Sequence, residues 1–400
     1  MKKFANCAAT TLGGVAMLFS GVIYGWSVLC APIASEFPAW TSAEMSLTFT
    51  LAMVFFCIGG LASGTLAKRV SQALRMAVAA ALFWGGMTLT SNVRGLYTMY
   101  MGWGVLCGLG SGISYNAIMT CVPGLFPRSR ALASGCMLMA YSAGSLAIGT
   151  AFTALTAVAG WRVVYRGIGW TGAIAMLAYS AALRRPEHNE QGGGYSSDIS
   201  CSPADMVRTA SFRLFFLWVV LITAAGLSVI SQARPMISEM FPDLGGGVIA
   251  ILAGMLSVFN GLGRMLFGAL YDRKGWKSTM LVVNLCALLG GVILTLAQFV
   301  AFLPLLALGF AVMGLAYGGP PTLCASVSRA FYGSEHYAVN YQIMVLNLLP
   351  ASLAGTLAGM LRDGTGGSRA VFLAIIALAA AALPLWKRLR LPEARRLGAQ

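Results

Sequence analysis

The stretch Ser257-Val-Phe-Asn260-Gly-Leu-Gly-Arg264-Met-Leu-Phe-Gly268-Ala-Leu-Tyr-Asp272-Arg273-Lys-Gly275-Trp-Lys277 decides the fold. Its first two thirds close an apolar run, 248–270, that carries one charge, Arg264, and no acid. Its last third is a short, mostly basic turn before the next apolar run. A run of about 20 apolar residues is what a helix needs to cross the ~30 Å hydrocarbon core of a bilayer. The pattern also has an earlier echo. Gly64-Thr-Leu-Ala-Lys68-Arg69 closes another apolar run, and from 64 to 268 the offset is 204.

Outward from this stretch the same element recurs along the whole chain. Twelve spans are expected, at about 8–30, 44–66, 74–92, 96–122, 130–157, 163–183, 212–236, 246–270, 276–300, 302–330, 337–360 and 368–387. Spans 4, 5 and 10 are overlong, so their ends project into water or tilt. The composition agrees: 58% hydrophobic and 10% charged residues, with mean hydropathy +0.77, exclude an ordinary soluble domain. The fold class is therefore an all-α integral membrane protein of two six-helix pseudo-repeat bundles. The apolar run after Met-Lys-Lys-Phe-Ala-Asn-Cys is longer than a signal core and lacks a small-x-small cleavage site, so it is read as the first span.

A net charge of +15 raises the question of nucleic acid, and its distribution answers it. With both termini inside, twenty of the 27 basic residues fall on inner segments and six outside (Arg94, Arg162, Arg166, Arg234, Arg362, Arg369), leaving Arg264. This is the positive-inside bias. It reports an even number of spans in a bacterial-type inner membrane, with both termini cytoplasmic, and no nucleic-acid partner. The nine cysteines are scattered without a CxxC pair and read as small buried hydrophobes. Two histidines, one of them (His188) in a polar linker, leave no catalytic or metal constellation and imply no cofactor.

That linker, Arg184 to Arg213, is Gly/Ser-rich at its centre and divides the chain. The expected organisation is a first bundle over 1–183, a cytoplasmic linker over 184–211, a second bundle over 212–387 and a tail over 388–400. Two further echoes support duplication. Phe126-Pro-Arg-Ser-Arg returns as Phe331-Tyr-Gly-Ser-Glu, from 126 to 331 an offset of 205; Gly160-Trp-Arg162 returns as Gly367-Ser-Arg369, from 160 to 367 an offset of 207. Two related bundles with a site at their interface are the architecture of many secondary transporters.

Gly268-x-x-x-Asp272-Arg273-x-Gly275-x-Lys277 resembles the loop signature of the major facilitator superfamily, and stands after span 8, where that signature belongs. Tyr24, Tyr115, Phe126-Pro, Leu132-Ala-Ser-Gly135, Tyr141, Met206-Val-Arg-Thr, Asn260-Gly-x-x-Arg264 and Asn340-Tyr341 resemble the oxalate/formate antiporter group, which is related to the monocarboxylate transporters. The resemblance implies a central cavity lined by Tyr24, Tyr115, Tyr141 and Tyr317, with the loop residues Gly268, Asp272, Arg273, Gly275 and Lys277 acting in gating. The departures are specific. The group's oxalate exchanger has a second cation in span 11 where this chain has Leu348, and 337–361 holds no Lys or Arg. Met313 replaces an aromatic in span 10. Lys68 and Ser71 replace the acid and glycine of the first-half signature, which puts the latch between spans 2 and 3 in doubt.

Arg264 is the candidate anchor. An intramembrane charge costs about 2.5–3.5 kcal/mol on insertion scales and marks a functional site. Ser257, Asn260, Gly261, Arg264 and Gly268 lie on one helical face. Snorkelling toward Asp272, two turns and about 12 Å along the axis, is one alternative; a structural salt bridge is another, but no span offers an acid. Side chains lean toward the helix N-terminus, so Arg264 leans to the membrane centre, and a guanidinium fork suits a carboxylate. Tyr24, Tyr115, Tyr141 and Tyr317 stand mid-span, either as packing residues or as pocket lining. Asn260 and Asn347 are candidate ligands or interhelical glue. Pro320-Pro321 is either a hinge or a static kink.

Coupling is read from the acids, all twelve of which lie in loops or at span ends. The monocarboxylate symporters, which the span resembles, carry an acid one turn before the arginine, where this chain has Asn260. The expectation is a monomeric carrier that exchanges small organic anions by alternating access, with a monocarboxylate favoured over oxalate. The alternatives are an exporter of drugs or neutral solutes, which would tolerate loss of Arg264, and a proton-coupled monocarboxylate symporter. A membrane enzyme would need a clustered site that this chain lacks.

Overall fold

The computed structural model describes residues 2–182 and 200–392. The expected linker is thus described only from Ser200, and the tail only to 392; Arg184, Arg185, His188, Arg395 and Arg396 lie outside the described residues. All regular structure among the described residues is helical. Ten helices there are long and apolar enough to cross a membrane by length and composition. One of them, Gly246–Val300, holds two spans, because Gly275 takes φ 74°, ψ −179° inside it. Trp161–Ala182 is a further 22-residue helix whose first two turns carry Arg162 and Arg166. With it the described spans number twelve.

In chain order these are α1 (Cys7–Glu36), α2 (Glu44–Leu66), α3 (Gln72–Ser91), α4 (Leu96–Leu125), α5 (Arg130–Ala159), α6 (Trp161–Ala182), α7 (Ala210–Met240), α8 (246–274), α9 (276–300), α10 (Leu303–Tyr332), α11 (Tyr337–Thr365) and α12 (Arg369–Arg388). Local chemistry sets several boundaries. Thr41 and Glu44 form a reciprocal capping box at the start of α2. Ser71, which stands where the loop signature has glycine, caps α3 by accepting Leu74 N at 3.3 Å. Thr209 does the same for α7, accepting Phe212 N at 3.0 Å.

The expected loop after α8 is a single residue. Its φ of 74° lies in the region that only glycine enters without strain, so Gly275 alone turns the chain from α8 into α9. Pro320 and Pro321 lie inside an unbroken α10. By contrast α11 is interrupted, with segments Tyr337–Val345 and Leu348–Thr365 joined through Leu346 and Asn347. Part of the length of α4 is taken up by a π-helical segment, Tyr100–Cys107. Beyond the spans, Pro203–Arg208 forms the short lead-in helix before α7. There burial and the nearby Asp205 carboxylate push the Cys201 thiol up to about 11, so it stays protonated at neutral pH.

Chain packing divides into two compact units, Met1–Pro127 with Cys136–Gly194, and Arg128–Gly135 with Tyr195–Gln400. The first turns of α5 therefore group with the second unit. Within the first, Glu36 at the end of α1 holds the start of α6: Trp161 Nε1 donates to it at 3.0 Å and Arg162 pairs with it. Within the second, Glu239 at the end of α7 holds the start of α12, accepting Ser368 N at 2.9 Å and Ser368 Oγ at 2.6 Å. An exposed ion pair contributes about 0–1 kcal/mol, and a helix cap about 1 kcal/mol. The second core is apolar, with Val229, Leu256, Leu294, Phe310, Phe372 and Ile375 in one buried cluster.

Arg264 is not the one buried arginine among the described residues. Arg75, in the first turn of α3, is also only 8% exposed. Its Nη1 donates to Ser63 O and to Ser63 Oγ, both at 3.2 Å. Ser63 lies in the last turn of α2, where the carbonyl end of the helix dipole favours a cation.

Candidate substrate site

Arg264 is 8% exposed and Asn260 7%. The Arg264 Nε donates to Asn260 Oδ1 at 3.3 Å. Asn260 is one turn toward the N-terminus of α8, so the side chain leans away from Asp272, as side-chain geometry on a helix requires. The Asp272 carboxylate is engaged elsewhere. It accepts Ala131 N at 3.1 Å and Leu132 N at 2.8 Å, the amides that open α5. Those amides have no intrahelical acceptor, and a carboxylate at a helix N-terminus is electrostatically favourable.

The backbone of Arg264 is fixed by glycines. A Cβ on Gly318 of α10 would lie 2.5 Å from Asn260 O and 2.7 Å from Arg264 N. A Cβ on Gly135 of α5 would collide with Arg264 O. That carbonyl also accepts the Thr322 hydroxyl at 3.1 Å. Of the expected polar stripe, Gly261, Arg264 and Gly268 are buried and Ser257 is exposed. Gly268 is a contact residue, packed on the Ala131 carbonyl.

Tyr317 is buried beside Gly318, and its ring lies against Gly226 of α7, where a Cβ would be 2.7 Å from Cγ. Asn347 belongs to a different arrangement. Its Nδ2 donates to Met344 O at 2.6 Å, and its Oδ1 accepts the Thr223 hydroxyl at 3.4 Å. The amide thus ties α7 to the break in α11, which favours the glue reading over the ligand one.

In the first unit Tyr24, Tyr115 and Tyr141 converge. Ring centroids are 5.6 Å apart for Tyr24–Tyr141 and 5.1 Å for Tyr115–Tyr141, both edge-on, a favoured geometry for aromatic pairs. Phe56 joins at 5.1 Å from Tyr115, and Phe49 at 6.2 Å from Tyr24. Sequence reasoning did not single out these two phenylalanines, nor Thr322. Of the turn residues, Gly275 makes the turn and Arg273 is exposed. Lys277 lies 5.5 Å from the Trp276 ring centroid, while its carbonyl accepts Trp386 Nε1 at 2.8 Å. No three His, Cys, Asp or Glu residues that could hold a metal gather among the described residues.

Twelve helical spans in two units, with a buried arginine in the eighth, define a polytopic membrane protein. The chain belongs to the Major Facilitator Superfamily, whose sequence profile matches residues 5–346, and it is a membrane transporter of that superfamily. It is similar to the oxalate:formate antiporter of Oxalobacter formigenes, 26% identical over 347 residues that cover 84% of this chain and 80% of the relative. It is also similar to human monocarboxylate transporter 12, 24% identical over 379 residues, 87% of this chain and 67% of the relative. Two solved structures share the fold. The transporter FucP in the outward conformation gives a TM-score of 0.72 at 14% identity, covering 96% of this chain and 99% of that one. The proton:xylose symporter XylE gives 0.72 at 14%, covering 98% and 97%.

Proposed function

We propose that this transporter carries a small monocarboxylate by exchange for another anion, anchored on Arg264. The observation that carries this reading is the buried guanidinium in α8, leaning toward Asn260 and held through its backbone by Gly135, Gly318 and Thr322. A planar, permanently charged fork matches a carboxylate. Tyr317, buried one residue before Gly318, adds an aromatic hydroxyl in the same unit, and the resemblance to the oxalate/formate antiporter group supports Tyr24, Tyr115 and Tyr141 as further substrate residues. The names of the relatives, an oxalate:formate antiporter and monocarboxylate transporters, support an organic anion. One guanidinium balances one carboxylate, and α11 has Leu348 and no Lys or Arg over 337–361. A dianion would keep a charge poorly compensated at low dielectric.

Exchange rather than proton symport follows from the acids, none of which lies mid-span, and from Asn260 one turn before the arginine. The site then has no carboxylate to carry a proton through the cycle. The carrier sits in an inner membrane of bacterial type with both termini cytoplasmic, on the charge bias of its loops. The test is binding of formate, lactate and oxalate to purified wild type and Arg264→Lys, with uptake into proteoliposomes. Monoanion binding at least tenfold weaker in the variant, with uptake that requires internal anion, is the expected result. Equal binding by both proteins removes the anchor, tighter oxalate binding removes the monoanion preference, and uptake indifferent to internal anion removes exchange.

A further inference from the structure

A furrow of about 540 Å³ runs along the first unit between α1, α5 and α6. Its floor is Ile148, Phe152, Val164 and Ile168, all buried, and its rims include Leu155 and Val163, each more than half exposed. The one polar side chain in the lining is Thr171, whose hydroxyl turns back to Gly167 O of its own helix at 2.8 Å. Small residues open the furrow. Ala147, Ala151 and Ala159 follow one face of α5, and on α6 a Cβ added at Gly167 would meet nothing within 4 Å.

Its length and its ends say what fits. From Ala147 to Ala159 is twelve residues, about 18 Å at 1.5 Å per residue. One leaflet's share of the ~30 Å hydrocarbon core is about 15 Å. In the second turn of α6, alongside the lining residues Val163 and Gly167, stands Arg166, exposed, and a helical side chain there leans toward the helix N-terminus and so toward the α5–α6 turn. Its Nε reaches only Arg162 O, in the same helix, at 3.4 Å. Its neighbour Arg162 is already paired with Glu36, so no protein carboxylate neutralises Arg166 among the described residues. An apolar slot one leaflet long, with an exposed arginine on its flank that can extend along the helix to a headgroup, has the chemistry of a lipid rather than of a helix.

We propose that this furrow holds one acyl chain of an anionic phospholipid from the leaflet on the α5–α6 side, with Arg166 taking the headgroup phosphate. The site is separate from Arg264, and the proposal stands whether or not the substrate is an anion. The test is native mass spectrometry of the full-length protein titrated with phosphatidylglycerol or phosphatidylcholine, on wild type, Gly167→Leu and Arg166→Gln. Gly167→Leu fills the slot; Arg166→Gln changes only an exposed side chain and serves if the first variant folds poorly. Wild type is expected to retain one phosphatidylglycerol at least tenfold more tightly than phosphatidylcholine. Gly167→Leu loses that lipid, and Arg166→Gln abolishes the preference. Wild-type lipid retention in both variants overturns the proposal. So does a preference untouched by Arg166→Gln, or a Gly167→Leu change that dissolves a dimer and leaves bound lipid unaltered.

Discussion

Replacing Gly318 by alanine tests whether the α8–α10 contact holds Arg264 in place. The new methyl carbon would lie 2.5 Å from Asn260 O and 2.7 Å from Arg264 N. Both are backbone atoms, so no rotamer change relieves the contact. Ordinary van der Waals separation begins near 3.4 Å, and the helices must part by about 0.9 Å, the difference from 2.5 Å. Overpacking of this kind costs about 1–3 kcal/mol. Alanine returns about 1 kcal/mol of helix propensity, which leaves a net loss near 1 kcal/mol. The larger effect is on function. A displacement of about 1 Å costs on the order of 10²-fold at a reacting centre; for an anchoring group alone a tenfold loss, about 1.4 kcal/mol, is expected. The control is Gly254→Ala in α8, where a Cβ meets nothing within 4 Å and the propensity gain stands alone. Calorimetric binding of formate and lactate, with thermal denaturation of both variants in detergent, gives the readout. If Gly318→Ala melts and binds like Gly254→Ala, the cradle does not position Arg264.

Two further outcomes are expected. Asp272→Asn removes the charge from the α5 N-terminus and leaves one oxygen for two amides, so stability falls by about 1–2 kcal/mol. Hydrogen exchange at Ala131 and Leu132 should rise, and unchanged exchange there would contradict the cap. Arg75→Met is expected to keep or raise thermal stability, because among the described residues the buried Arg75 Nε finds no hydrogen-bond acceptor and an unmet buried donor costs about 1–3 kcal/mol. Ser63→Ala, which strips a hydroxyl acceptor from the same guanidinium, should lower it, and the reverse order of the two melts would refute this account.

The twelve spans were legible because a bilayer leaves the backbone few options: each crossing must be a closed helix with an apolar surface. Gly275 was legible as a turn. That it is the whole turn was not, since sequence carries no measure of how few residues a break needs. The lean of Arg264 toward Asn260 follows from helix geometry and could be stated beforehand. The fate of Arg75 could not, because one turn into a span a cation is equally able to reach water or to bond a neighbouring carbonyl. Phe49 and Phe56 escaped for a related reason: a phenylalanine in an apolar helix looks the same whether it meets lipid or a tyrosine. Asn347 was ambiguous until its amide partners were known.

The repeat gives an internal control on what the packing itself requires. In the second unit Gly314 packs on Leu256 O at 2.7 Å and Gly318 lies 2.7 Å from Arg264 N, measured from an added Cβ. In the first unit Gly108 packs on Ala52 O at 2.7 Å and Gly112 lies 2.9 Å from Gly60 N. Shifted by 204, Ala52, Phe56 and Gly60 become Leu256, Asn260 and Arg264; shifted by 206, Gly108 and Gly112 become Gly314 and Gly318. One glycine-mediated helix pair is therefore built twice, α2 with α4 and α8 with α10. The glycines keep their place in both copies because the close approach depends on them. The residues they grip differ: Phe56 and Gly60 in one copy, Asn260 and Arg264 in the other. A position that the same packing fills with glycine has no structural need of a guanidinium. The 2.5–3.5 kcal/mol scale of an intramembrane charge then has no return in the packing of α8 against α10, which is the argument for the anchoring role proposed for Arg264.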